Sequence, residues 1–266
     1  MAGALASLNE RTLRNLKVLW ATTMIELRKR YAGTFLGPLW FVLYPALFLS
    51  MYLFLYMVVF KVRFPQLSEF SYVVYIFTAL VPYIALMECA TFATSVIRQN
   101  IHLIKNVMVP IDLIPARVAL MSSLAQLPGL AIILLLSGID QSLSWKILLL
   151  PVIIAVQFVF FLGIAYLLAA LGGLLPDLAA SINIILIFLL FISPIAFTPD
   201  MVPESAKLVI YLNPVTYLIG MFREVLLEHQ TLGLLRLAGF AAGSMALLLA
   251  SRALFDRYKA SIIDNE

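Results

Sequence analysis

Polar residues along this chain fall in narrow bands between long apolar runs. Runs at 37–60, 71–97, 113–136, 147–171, 178–198 and 232–254 each reach the length of roughly 20 residues that a helix needs to cross a bilayer. Six spanning helices are predicted, which puts both termini on one side. The first run is the best delimited. It follows the basic cluster Arg28-Lys29-Arg30, then Tyr31, and carries no charge before Lys61. Leu36-Gly37-Pro38-Leu39-Trp40 and Tyr44-Pro45 lie within or just before it.

Three segments outside these runs also have a helical pattern. Over 7–31, Leu13, Leu16, Trp20, Met24 and Leu27 share a face, opposite Arg14, Lys17, Glu26 and Arg28. Ser7 and Glu10 have capping-box spacing. The segment is expected to lie in the membrane interface, as an anchor or as a docking surface for a partner. In 98–109, Ile97, Ile101, Ile104 and Met108 recur at helical steps before Pro110 ends the pattern. The long segment 199–231 is apolar-rich and divided by Asn213-Pro214. Two short helices dipping back into the outer leaflet satisfy its backbone better than a free loop.

Composition fixes the class. Hydrophobic residues make up 63% of the 266 and charged ones 12%, against about 25% charged in soluble domains. The net charge of +4 would suit an anionic partner, but the basic residues cluster beside apolar runs. That fits topology-setting charge rather than a nucleic-acid face. With both termini inside, twelve of the 18 Lys and Arg fall on the cytoplasmic side, as the positive-inside rule requires. The single cysteine, Cys89, excludes an intrachain disulfide and a cysteine metal cluster. The first thirty residues lack the apolar core of a cleavable signal peptide.

Candidate chemistry is sparse. Phe41, Tyr44, Phe48, Tyr52 and Tyr56 recur at three- and four-residue steps, a stripe that suits the apolar faces of sugar rings or ordinary helix packing. Glu88 is a carboxylate inside a span, a functional-site candidate by its insertion cost of about 2.5–3.5 kcal/mol, with Arg117 as a candidate partner. Pro128-Gly129 predicts a kink in the third span. Gly172 to Asp177 reads as a tight turn after the fourth. A metal site or catalytic triad finds no residues around His102, which reads as a surface residue.

The ordered motifs resemble the membrane subunit of a type-2 ABC exporter, specifically the permeases that export capsular polysaccharide or O-antigen. They are Arg30-Tyr31 with Leu36-Gly37-x-Leu39-Trp40 and Pro45, Leu80-Val81-Pro82-Tyr83 leading to Glu88, and Leu103-Ile104-Lys105 before Pro110-x-Asp112-x-x-Pro115. Asp177, Ser193-Pro194, Pro203, and Asn213-Pro214 with Phe222-Arg223 follow. The resemblance covers nearly the whole chain.

It implies an all-α polytopic membrane protein of the bacterial inner membrane, with six transmembrane helices per protomer and both termini cytoplasmic. It further implies an interface helix, a cytoplasmic coupling helix at 98–109 and external gate helices between spans five and six. The partners it implies are a second copy of the chain, two ABC ATPase subunits and a lipid-linked polysaccharide, with room for periplasmic and outer-membrane export proteins and no nucleic acid. ATP and Mg would bind the ATPase, because this chain has no Walker phosphate loop and needs no cofactor of its own.

The resemblance puts Arg28, Arg30, Tyr31, Trp40, Phe41, Tyr44, Phe48, Tyr52, Tyr56 and Glu88 on the substrate pathway. Trp20, Leu27, Arg98, Ile101, His102, Ile104, Lys105, Asp112 and Asp177 would meet the ATPase. Pro194, Phe197, Asn213, Pro214, Phe222 and Arg223 would form the external gate. Two places depart from the family: Arg98-Gln99 stands where an acid is common, and Pro176 stands before Asp177 where an arginine is common. Export of a drug or another lipid is the alternative within the superfamily. A glycan or phosphoryl transferase would need clustered carboxylates, and Glu88, Asp112 and Asp177 lie apart in the sequence. A secondary transporter would favour an internal repeat, which the sequence does not display.

Overall fold

A helix that is apolar on every side has to be covered on every side, and α3 (Glu69–Gln99) is that helix here. In this computed structural model, which describes residues 2–30, 32–61, 67–106, 110–227 and 233–265, every residue of α3 from Val74 to Leu86 is buried. Ser68 caps α3, its hydroxyl accepting from the Ser71 amide at 3.0 Å.

Around α3 stand α1 (Ala2–Arg30), α2 (Trp40–Leu53), α4 (Ile101–Asn106), α5 (Leu113–Ala125), α6 (Leu127–Ile139) and α7 (Leu150–Leu174). The chain continues through α8 (Leu178–Ile192), α9 (Glu204–Leu212), α10 (Pro214–Leu226) and α11 (Leu234–Asn265). No strand is present among the described residues, only one isolated bridge between Leu143 and Leu227. The chain is an all-α polytopic membrane protein. Among the described residues, five helical stretches are long and apolar enough to span a bilayer: Gly37–Val59, Glu69–Gln99, Leu113–Ile139, Trp145–Leu174 and Leu234–Ile262, with the bent pair Glu204–Leu212 and Pro214–Leu226 a sixth if it counts as one span.

The segment expected to span as 178–198 differs. Its helix, α8, ends at Ile192 after 15 residues, about 22 Å at the helical rise and short of the ~30 Å hydrocarbon core. Pro194 has no amide hydrogen and disfavours helical geometry in the residue before it. Ser193 is accordingly extended, and residues 193–196 run on as buried irregular chain. Beyond them α9 and α10 meet at an 82° bend, whose corner Asn213 caps α10 by accepting from the Val215 amide at 2.9 Å.

Two smaller differences follow from packing. Gly172 is not part of a turn: α7 runs on to Leu174, and a β-carbon on Gly172 would lie 1.9 Å from the Thr94 carbonyl oxygen of α3. Only glycine permits that crossing. The third span breaks at Gln126, just before Pro128. There Gln126 and Gln157 of α7 exchange two side-chain hydrogen bonds, both 2.9 Å, inside the bundle.

Candidate functional site

The basic end of α1 reaches α3 through Arg30, whose guanidinium forms an ion pair with Glu88. The sequence had offered Arg117 as the partner. Arg117 instead donates to the Asn100 side-chain oxygen at 2.9 Å. Both charges of the real pair are largely removed from solvent, with side-chain exposures of 22% for Arg30 and 9% for Glu88. The guanidinium also lies 5.6 Å from the Phe92 ring centre, within cation–π range. Burying an ion pair is costly unless geometry and further contacts repay it.

The pair closes one side of a narrow cavity whose opposite wall is Trp40, Phe41 and Tyr44 from the start of α2. Gln126, at the break of the third span, completes it. The free volume is about 20 Å³, enough for about one water molecule and far too small for a sugar ring. The arrangement is a narrow joint between three elements, with one ion pair set among aromatic and aliphatic side chains.

Not every candidate pathway residue reaches this joint. Arg28 is exposed and lines a separate apolar cavity under α1 with Met24, Leu27 and Phe41, because positions two apart on a helix point to opposite sides. Tyr31 lies outside the described residues. Along α2 the stripe rotates: Tyr44 is 45% exposed while Tyr52 is 2% exposed. Each four-residue step overshoots a helical turn by about 40°, so the stripe leaves the cavity and turns into the core. Phe48 packs half-buried, 6.3 Å from Tyr44. Tyr52 and Tyr56 stack at 4.8 Å, with Phe60 edge-on to Tyr56. The face of the Gly37–Val59 span left uncovered is aliphatic and aromatic: Leu47, Met51, Phe54 and Val58.

At the end of the bundle where α1 meets α3, Trp20 is exposed and Leu27 half-buried. On α4, His102, Leu103 and Lys105 are exposed, whereas Ile101 and Ile104 turn inward and Ile104 packs on the core. Arg98 donates to the Gly172 carbonyl at 3.4 Å, beside the glycine crossing. Asp177 is exposed at the start of α8. Asp112 is engaged within the chain: its carboxylate pairs with Arg252 at 3.1 Å and Lys259 at 3.2 Å of α11. Both cations also pair with Asp256, and Tyr166 links Arg252 to the Asp112 carbonyl. Sequence reasoning passed over this cluster. The spacing of Arg252, Asp256 and Lys259, four and three residues apart on one helix face, was its visible signal.

At the opposite end, Arg223 of α10 is buried and donates to the carbonyls of Pro194, Ile195 and Tyr75, its guanidinium 3.5 Å from the Tyr75 ring centre. Asn213 donates to the Ser193 hydroxyl at 2.9 Å. Arg223 and the Tyr72 hydroxyl, which donates to the Ala196 carbonyl at 3.0 Å, satisfy the carbonyls of residues 194–196 that lie outside the helix. Phe222 is wholly buried, Phe197 half-buried, and Pro214 exposed at the bend. Glu224 receives the Gly233 amide at 2.9 Å and pairs with Arg236 at 2.9 Å.

Comparison with known proteins adds a family. The profile described as ABC-2 type transporter matches residues 17–227. An O-antigen export system permease protein of Myxococcus xanthus is 29% identical over 234 residues, covering 87% of this chain and 88% of the relative. Two proteins of the same description from Klebsiella pneumoniae are 26% and 28% identical, covering 91% and 79% of this chain and 92% and 80% of the relatives.

Proposed function

Because the chain belongs to the ABC-2 type transporter family, we propose that it is the membrane-spanning permease subunit of an ATP-driven exporter that carries a lipid-linked polysaccharide, O-antigen or capsule, across the bacterial inner membrane. The chain is a transport component rather than an enzyme. ATP and Mg are handled by separate ABC ATPase subunits, two of which pair with two copies of the permease. Both termini face the cytoplasm in this reading, a side supported by the excess of Lys and Arg there. The exposed faces of α1 and α4 receive the ATPase, and the Arg223-pinned α9–α10 unit closes the outer end.

The observation that carries the reading is the Arg30–Glu88 pair behind Trp40, Phe41 and Tyr44. A lipid phosphate arriving at the headgroup level meets a guanidinium that makes strong, charge-assisted hydrogen bonds to phosphate oxygens. Glu88 holds that guanidinium in place until a phosphate competes for it, and the aromatic rings offer their faces to the first sugars. The cavity is too narrow for a sugar, so transport requires α1 and α2 to move apart from α3. A pull on α1 by the ATPase would supply that movement.

The test is export in cells with the matched ATPase. Arg30→Ala is expected to lower surface polysaccharide about tenfold or more while dimer and ATPase assembly persist. Arg30→Lys, which keeps charge but loses the planar fork, should fall between. Normal export by Arg30→Ala would remove Arg30 from the pathway. A purified chain that binds no ATPase and transports without ATP would overturn the exporter itself. Export of a drug or unmodified lipid is the second reading, and loss of drug efflux with polysaccharide unchanged would select it.

A further inference from the structure

Arg117 is only 8% exposed, yet its bonded partner is the neutral Asn100, and it forms no ion pair with a carboxylate among the described residues. A guanidinium has five N–H donors. Asn100 uses one of them, and no Arg117 nitrogen is both buried and unbonded. The others therefore open onto the adjoining space. That space is a cavity of about 290 Å³ bounded by the ends of three helices, near the lower limit for a small-molecule site.

Its polar wall unites Lys29 and Arg30 from α1, Arg117 from α5, and Gln99 and Asn100 from the end of α3. Glu26 is the one acid on that wall. Counting Glu26, and the Glu88 that pairs with Arg30 from the other side, one positive charge is left over. The remaining wall is apolar, with Phe92, Val96 and Met121. Glu26 acts electrostatically on Arg117 and Glu88 answers Arg30, so the surplus charge is that of the exposed Lys29 at the rim, and an anion entering the cavity would meet Lys29 and Arg117 together. The Asn100 amide is fixed by donating to the Val96 carbonyl at 2.8 Å, so its oxygen stays turned towards Arg117.

The geometry points to a binding site for the phosphate of an anionic phospholipid from the cytoplasmic leaflet, seated between α1, α3 and α5. The phosphate meets Arg117 and Lys29, and the glycerol and upper acyl chain lie along Phe92, Val96 and Met121. The amphipathic lining selects a lipid over a free anion, and the negative surface of that leaflet enriches such lipids. The site is on the opposite flank of Arg30 from the aromatic cavity. Its occupant clips the interface helix α1 to α5, so lipid composition would set how readily α1 moves. The leaflet rests on the orientation proposed above. The test needs neither glycan nor ATP, so its failure and that of the export reading are distinguishable.

The purified full-length chain in detergent is titrated with dioleoyl phosphatidylglycerol, dioleoyl phosphatidylcholine or inorganic phosphate, and lipid retention is read by native mass spectrometry beside thermal unfolding. Phosphatidylglycerol should be retained preferentially and raise the unfolding temperature. Arg117→Gln should weaken its binding about fivefold, the weight of one cation against an anionic lipid. Lys29→Gln, at an exposed position that folding tolerates, should weaken it in the same direction, and Arg117→Lys should bind better than Arg117→Gln. Lys17→Gln, exposed on α1 outside the cavity, should bind as the parent does. Unchanged phosphatidylglycerol binding by both Arg117→Gln and Lys29→Gln overturns the site. Equal Arg117-dependent stabilisation by inorganic phosphate alone overturns the lipid as its source.

Discussion

At the scale of single residues, the fold is governed by what each buried group is given as a partner. Glu88 is tolerable inside the bundle because Arg30 answers it. Removing the carboxylate leaves the guanidinium without that counter-charge. Breaking a buried pair costs about 3–5 kcal/mol, and the residual exposure of Arg30 places Glu88→Ala towards the lower end. A fall in unfolding temperature larger than that of Glu88→Gln, which still accepts a hydrogen bond, is the expected outcome. Equal melting of both variants would mean that a neutral acceptor at this position contributes nothing and that only the carboxylate charge matters. Gly172 works by absence. Gly172→Ala puts a methyl where the Thr94 carbonyl stands, and overpacking of this kind costs about 1–3 kcal/mol. Gly138→Ala, which meets nothing within 4 Å, is the control and should melt no lower than the parent.

At the scale of elements, the informative joint is where α8 stops. Residues 194–196 are buried outside any helix, and Arg223 of α10 satisfies the carbonyls of Pro194 and Ile195 from a distance of 29 and 28 positions in sequence. Arg223→Lys keeps a charge but lacks the fork that reaches several carbonyls at once. Both it and Arg223→Ala should show faster hydrogen exchange over 190–197, with α3 still protected. An unchanged exchange pattern would mean that α10 does not pin the segment.

The Asp112 cluster joins the start of α5 to the end of α11. Its members are about a third exposed, and ion pairs of that kind are worth about 1 kcal/mol or less. Asp112→Asn should therefore melt within a few degrees of the parent and still co-purify with the ATPase. Leu103→Asp, on the exposed face of α4, should lose the ATPase without a change in melting. The reverse outcome would move the docking surface from α4 to Asp112.

At the scale of the whole molecule, one copy leaves apolar surface on two helices in particular. On α8, Ile184, Ile187, Phe188 and Phe191 form an uncovered stripe, and α2 presents Leu47 and Met51. Lipid covers such faces as well as protein does, so their exposure alone does not identify a partner. Whether the proposed homodimer forms through α8 is tested by cross-linking. The one cysteine, Cys89, is buried, so Phe188→Cys introduces a single reactive position. Oxidation in membranes should then give a disulfide-linked dimer, and Leu249→Cys, exposed on α11, should not. Cross-linking of neither, or of both alike, would remove α8 from the interface.

The long apolar runs, the charge asymmetry and the amphipathic patterns of α1 and of 204–226 are local properties. A periodicity read along the chain is enough to find them, so class, helices and candidate aromatic and basic residues were legible in the sequence. The sequence also determined that Glu88 had to be answered by a cation, because an isolated carboxylate is too costly in a membrane. It could not choose between Arg30 and Arg117. That choice depends on which helix end reaches α3, and 58 residues separate Arg30 from Glu88 along the chain. The tertiary structure likewise decided that the aromatic stripe turns from cavity to core, that Gly172 serves a helix crossing, and that Arg117 is left facing a cavity with a neutral partner. Each of these depends on which side of a helix meets a neighbour far away in sequence, and no local pattern encodes it.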